Sequence, residues 1–140
     1  MRFESVVSIA APAQHVFDLY VDVERWPQWT ETVTTVERLD PGPLKVGART
    51  RLTQPKLPKA VWEVTSLVPG QSFTWVARAV GVVTTANHLV TSTGDGGARV
   101  TASIDQGGPF GFLLGLLTKR LTNRYLAIEA ASLKRLCEGS

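Results

Sequence analysis

The sequence is short of the residues from which covalent and metal frameworks are built. One cysteine, Cys137, excludes a disulfide scaffold and a cysteine-built zinc site. Two histidines, His15 and His88, are too few for a histidine-rich metal centre, so no metal site and no cofactor are expected. Long apolar runs are missing too. The longest, Pro109 to Leu117, falls far below the ~20 residues of a membrane-spanning helix, so no stable membrane insertion is expected. Met1 is followed by Arg2, Phe3 and an alternating run that does not read as a secretory leader. Acids are scarce in one stretch. Residues 41–62 hold the bases Lys45, Arg49, Arg51, Lys56 and Lys59 without an acid, whereas residues 1–40 are rich in Asp and Glu. A basic run suits either nucleic acid or a solvated strand edge whose lysines discourage aggregation. No helix-turn-helix, zinc finger or RNA-binding aromatic signature accompanies it, so the solvated edge is the reading and no nucleic-acid partner is expected.

What is present is 44% hydrophobic residues in 140, enough for one core and too few for two comfortable domains. The expectation is a single domain over 1–140 in a soluble, cytoplasmic protein. Phe3, Ser5, Val7 and Ile9 alternate with Glu4, Val6 and Ser8, as a strand does. Pro12 opens a short helix through Val16, Phe17 and Tyr20. Asp22 is placed to cap a second short helix that Pro27 limits to about one turn. Strand-like runs follow at Val33–Leu39, Ala48–Gln54, Ala60–Leu67, Phe73–Ala79, Val82–Thr93 and Arg99–Gln106, separated by proline- and glycine-containing turns. From Phe110 to about Cys137 there is no proline, and Leu114, Leu117, Leu121, Tyr125 and Ile128 recur at helical spacing. The pattern predicts consecutive antiparallel strands and one long C-terminal helix that buries its apolar stripe against them. A curved sheet cannot close tightly on one helix along its whole length, so a pocket between them is expected unless side chains fill it.

The string Asp22-Val23-Glu24-Arg25-Trp26-Pro27-Gln28-Trp29 resembles a helix-grip signature. Its setting fits as well: Ala11-Pro12 before it, Leu44-x-x-Gly47 and Gln54-Pro55 after it, then Trp62-x-Val64, Pro69-Gly70, Phe73-x-Trp75, His88 and the Gly94–Gly97 turn. Over essentially the whole chain the sequence is similar to the START-like (SRPBCC) superfamily, and within it to polyketide cyclase/dehydrase-type proteins. The resemblance implies an α+β helix-grip fold: a seven-stranded curved antiparallel sheet wrapped around a long C-terminal helix, with two short helices after the first strand. It also implies an apolar cavity for a hydrophobic or aromatic small molecule, lipid- or polyketide-like.

Alternation nominates the cavity wall. Trp62 and Val64 share a face, as do Phe73, Trp75 and Ala77, then Ala86, His88 and Val90, then Val100, Ala102 and Ile104, while Leu52 and Gln54 face together. With the helical stripe this gives the candidate ligand-binding set Leu52, Gln54, Trp62, Trp75, His88, Val90, Leu117 and Leu121. A one-residue bulge reverses any such assignment. His88 is the sharpest candidate: a lone titratable group in an apolar pocket, or else a core histidine bonded to a backbone carbonyl. Trp62 and Trp75 stack on an aromatic ligand or belong to the core, and Trp26 and Trp29 pin the short helices to the sheet.

No assembled catalytic set is visible, so catalytic residues are not assigned and enzymatic activity stays open. Cys137 lies where the terminus frays, His15 is expected at the surface, and Glu31 and Glu63 face inward only if the parity is wrong. Polar inward groups are few: His88, Gln54, Thr84 and Ser5. That favours a binding or carrier domain over a cyclase/aromatase or dehydrase-type enzyme, with a protein–protein module as a third class. The Gly111-x-x-x-Gly115 spacing leaves a homodimer open. Lys119, Arg120 and Arg124 behind an apolar helix start suit an anionic lipid or headgroup, against the alternative that this helix start is tucked under the loops. On this reading, replacing His88 by Ala alters ligand affinity with little change in fold.

Overall fold

The structure, a computed structural model, describes residues 1–139. The chain runs through β1 (Arg2–Ile9), α1 (Ala13–Val21), a 3-10 turn (Val23–Arg25), α2 (Trp26–Trp29), β2 (Thr35–Arg38), β3 (Arg49–Thr53), β4 (Ala60–Val68), β5 (Ser72–Ala79), β6 (Val82–Ser92), β7 (Ala98–Gly107) and α3 (Gly111–Glu138). The strands form one antiparallel sheet in the order β1-β7-β6-β5-β4-β3-β2. Strands β2 to β7 meander as expected. The first strand does not join the meander next to β2: the short helices carry the chain across the sheet, and β1 pairs with β7 instead. The Asp22 carboxylate makes no cap hydrogen bond; it pairs with Arg25 at 3.3 Å, brought round by the 3-10 turn.

The register arranges the inner face of the sheet in transverse rows. One row runs through Phe73, His88 and Ala102, and the next through Val64, Trp75, Ala86 and Ile104. A third runs through Thr50, Trp62, Ala77, Thr84 and Gln106. β4 changes register between Val64 and Ser66, a bulge that keeps Leu67 opposite Phe73 and leaves the parity of Trp62 and Val64 intact. The first two rows are filled by the short helices. Tyr20 meets His88 edge-on at 5.1 Å between ring centroids, and Trp26 meets Trp75 at 5.4 Å. The Trp26 indole N–H also donates to the Tyr20 carbonyl at 2.9 Å, locking α2 onto α1. Buried side chains of this size each stabilise by about 1.5–3 kcal/mol. No residue of the short helices lines the cavity beside the third row.

The two halves of α3 differ. Its C-terminal half buries Leu126, Leu133 and Cys137. Cys137 is therefore a core residue rather than a frayed one, and burial pushes its thiol up to about 11. The N-terminal half touches down through Gly111 and Gly115, which face the sheet. A Cβ on Gly111 would stand 2.5 Å from the Gln106 carbonyl oxygen, and one on Gly115 would stand 2.8 Å from the Met1 side chain. The glycine pair that suggested a helix–helix dimer is thus used inside the molecule, to bring the start of α3 close to the end of β7.

Gly111→Ala is expected to lower the free energy of unfolding by about 1–3 kcal/mol, because backbone must move to admit the methyl group. That loss outweighs the ~1 kcal/mol that alanine gains in helix propensity. Gly115→Ala is expected to cost less, since its nearest atom is the Met1 Cβ at 2.8 Å rather than a carbonyl oxygen at 2.5 Å, although that Cβ shifts only with the Met1 main chain. Urea denaturation of the two variants checks the order.

Candidate functional site

The third row of the sheet, Ile104 and residues 114–129 of α3 line a cavity of about 510 Å³, inside the ~300–1,000 Å³ range of small-molecule sites. Its sheet wall is Trp62, Ala77, Thr84, Ile104 and Gln106. Its helix wall is Leu114, Thr118, Leu121, Tyr125 and Glu129, spaced three and four apart so that they form one stripe. The β3–β4 loop closes one side through Gln54, Leu57 and Pro58. That loop is tied down at two points: the Tyr125 hydroxyl donates to the Pro55 carbonyl, and the Gln54 side-chain amide donates to the Thr32 carbonyl at 3.2 Å. Lys59 and Arg78, both exposed, stand at the rim.

Besides Gln54, Tyr125 and the threonines Thr84, Thr118 and Thr122, three polar groups interrupt this apolar wall. The Trp62 indole N–H and the Gln106 side-chain carbonyl are buried without a hydrogen-bond partner. Such groups each cost about 1–3 kcal/mol when left unsatisfied. The third is Glu129, whose Oε1 accepts from the Thr32 hydroxyl at 2.7 Å. Because Thr32 spends its one proton there, the Thr30 hydroxyl, 2.9 Å away, donates to Thr32. Burial pushes the Glu129 carboxyl up to about 7, against the pull of the Thr32 hydrogen bond. Burial first, and then the Glu129 charge, raises the ionisation of the Tyr20 phenol well above its ordinary value. Glu129 is thus a half-buried carboxyl on the wall of a cavity that holds its proton well above the ordinary carboxylate range.

Of the residues nominated from the sequence, Gln54, Trp62 and Leu121 stand on the cavity wall. Leu52, Trp75, His88 and Val90 are buried in the core and do not line it. Their parity is as read, but alternation reports the face of a strand and not the distance along it at which the opposite layer pulls away. Leu117 is 76% exposed, lying beside the inward stripe of α3 rather than on it. His88 stacks on Phe73 with ring centroids 4.0 Å apart and an angle of 13° between planes. Its Nδ1 lies 3.1 Å from the Phe73 carbonyl oxygen, an acceptor, so Nδ1 carries the proton. Burial lowers its pKa to about 4, with the Phe73 hydrogen bond opposing. His88 is therefore a neutral, satisfied core residue, and the geometry predicts that His88→Ala costs stability.

Besides Thr118 and Thr122, the polar wall residues not nominated from the sequence are Glu129 and Gln106. Both had a signal. Glu129 sits four residues after Tyr125 and eight after Leu121, an acid in an apolar stripe, and Gln106 continues the alternation of Val100, Ala102 and Ile104.

A model of the polyketide cyclase / dehydrase and lipid transport family matches residues 1–138. Among curated proteins none matches the chain. Solved structures similar in fold include a START superfamily protein from Mycobacterium smegmatis, 16% identical with a TM-score of 0.79 over 99% of this chain and 97% of that one. The Zhui aromatase/cyclase from Streptomyces sp. R1128 is 17% identical, with a TM-score of 0.72 over 96% and 94%. A norcoclaurine synthase mutant from Thalictrum flavum, in complex with a transition-state analogue, is 15% identical, with a TM-score of 0.77 over 98% and 93%.

Buried His88 and half-buried Glu129 have opposite effects on stability between about pH 4 and 7. The unfolded chain binds the His88 proton more readily, so stability falls as pH drops from 6.5 to about 4. The folded chain holds the Glu129 proton more tightly, so that contribution is lost as pH rises from 4.5 to about 7. Glu129→Gln is expected to leave the His88 slope alone, a gain of about 1.4 kcal/mol per pH unit on raising pH through this window. His88→Phe is expected to reverse the sign. Thermal unfolding of the wild type and both variants across the window checks this. The chain, by the family match along its length and by its seven-stranded sheet gripping one long helix, belongs to the polyketide cyclase / dehydrase and lipid transport family.

Proposed function

We propose that this chain binds a hydrophobic or aromatic small molecule, lipid- or polyketide-like, in the cavity between the third row of the sheet and α3. The observation that carries this reading is the cavity of about 510 Å³ itself, kept open in a small domain whose other rows are densely filled. Apolar side chains supply most of the contact. The Trp62 N–H asks for a ligand acceptor such as a carbonyl or phenol oxygen, and the Gln106 carbonyl asks for a ligand hydroxyl.

One observation favours a second reading, a cyclase/aromatase or dehydrase-type catalyst. A carboxyl that titrates near 7 on a cavity wall can take up or release a proton near neutral pH, the requirement for general acid–base work. Enclosure of a flexible reactive chain would then supply the proximity that cyclisation needs. The aromatase/cyclase and the norcoclaurine synthase of similar fold are the comparisons that support this reading.

The test is native mass spectrometry of protein purified from its own host, followed by extraction of the bound molecule. A stoichiometric apolar or aromatic molecule is expected with the wild type, and a loss of it in Thr84→Phe, which fills the sheet wall. Wild-type and Thr84→Phe proteins that are equally empty, and bind an apolar fluorescent probe equally weakly, overturn the binding reading. Where the extracted molecule is converted on incubation, Glu129→Gln is expected to slow conversion by roughly 10²–10⁴-fold while retaining binding. An unchanged rate removes Glu129 from the chemistry.

A further inference from the structure

The charge of the molecule is segregated around the cavity. Three segments supply its whole lining: residues 54–62, 77–84 and 104–129. They contain Lys56, Lys59, Arg78, Lys119, Arg120 and Arg124 against two acids, Asp105 on β7 and the half-buried Glu129 on the cavity wall. All six bases are exposed. None has an acidic partner among the described residues, where the ion pairs use Arg2, Arg25, Arg38, Arg49, Arg51 and Lys134 instead.

The same end carries the largest exposed apolar side chains of the molecule. Val80, at the β5–β6 turn, is 97% exposed, and Phe110, Phe112, Leu113, Leu116 and Leu117 are each at least half exposed. The turn and the helix start form one patch. The Phe110 N–H donates to the Gly81 carbonyl at 2.9 Å, and the Phe110 ring lies where a Cβ on Gly81 would sit, 2.2 Å from it. Gly81 takes a φ of +76°, so glycine is required twice over. Along the outer face of α3 the first two turns are therefore apolar. The next two carry Lys119, Arg120 and Arg124, about 10 Å further along at 1.5 Å per residue.

Three partner classes compete for such a surface. A second copy of the chain would bring six unpaired bases against six more, which like-charge repulsion disfavours. An acidic protein would match the charge without calling for so many large, exposed apolar side chains at the helix tip. A bilayer with anionic headgroups calls for both features in this order: apolar side chains in the acyl boundary, and bases one step behind at the phosphates. No helix among the described residues is long and apolar enough to cross a membrane, so the contact is peripheral.

We propose that this end of the molecule docks on an anionic lipid surface, with Val80, Phe112, Leu116 and Leu117 entering the interface and Lys119, Arg120 and Arg124 at the headgroups. Lys59 and Arg78 belong to both this surface and the cavity rim, so the cavity opens toward the bilayer. Docking goes beyond the ligand reading and does not depend on what the cavity holds.

Flotation of the full chain with phosphatidylcholine vesicles, with and without phosphatidylserine, tests it. Binding is expected to the anionic vesicles and not to the neutral ones. The triple variant Lys119→Gln, Arg120→Gln, Arg124→Gln is expected to weaken it by about 100-fold. Phe112→Ser with Leu117→Ser is expected to abolish it. All of these positions are exposed, so both variants should keep wild-type thermal unfolding. No binding to anionic vesicles, equal binding to both kinds, or wild-type binding by either variant overturns the proposal. So does a concentration-dependent dimer that covers Phe112 and Leu117, or an acidic protein that binds this face where vesicles do not. Vesicle binding is read without ligand, so its failure leaves the mass-spectrometric test of the cavity standing, and the reverse holds as well.

Discussion

Everything distinctive about this molecule follows from one packing constraint: a single straight helix has to bury its inner stripe on a sheet that curves. The C-terminal half of α3 meets the constraint with Leu126, Leu133 and Cys137 buried. The N-terminal half meets it at Gly111 and Gly115, where the missing side chains let the helix touch the end of β7 and Met1. Between those anchors the helix stands off the row that runs from Trp62 to Gln106, and the stand-off is the cavity. The short helices decide where the stand-off falls. Tyr20 and Trp26 fill the rows centred on His88 and Trp75, and no element does the same for the third.

The same geometry sets the electrostatics. His88 is removed from bulk water and Glu129 partly so, and their surroundings ask opposite things of them. His88 sits among Phe73, Tyr20 and Trp75, with its one N–H satisfied by a carbonyl, and desolvation keeps it neutral. Glu129 faces the cavity with one hydroxyl at its carboxyl, and desolvation keeps its proton on until near neutral pH. A buried base that refuses a proton and a half-buried acid that retains one both avoid an unpaired charge in the interior. Of the two, Glu129 has the cavity in front of it.

The basic surface also divides in two when seen in place. Arg49 and Arg51, from the basic run of β3, pair with Asp40 at 3.2 Å and Glu37 at 2.5 Å on the outer face of the sheet. The run suggested a solvated strand edge, but β3 is an inner strand between β4 and β2, so these two bases sit on a solvated sheet face instead. Lys56 and Lys59, from the same run, project at the cavity end with Arg78 and the bases of α3. Adjacency in sequence grouped residues that the fold separates, and the fold grouped residues that lie 60 positions apart along the chain.

The sequence by itself determined the strands to within a residue or two, the long helix, and the face on which each inner residue lies. These depend on local periodicity: two residues for a strand, 3.6 for a helix. It determined the family as well, through the spacing of Asp22–Trp29, Trp62, Trp75 and His88. The tertiary structure alone decided the pairing of β1 with β7 and the depth at which each inward side chain ends up. Trp62 and Trp75 have the same parity on neighbouring strands, yet one meets a cavity and the other a packed indole. The spacing places Glu129 on the inner stripe of α3, but only the contact of α3 with the Thr30–Thr32 loop decides what its carboxyl meets there. Periodicity is a property of the nearest few residues, whereas a cavity is a failure of distant layers to meet, and no local pattern encodes where that happens.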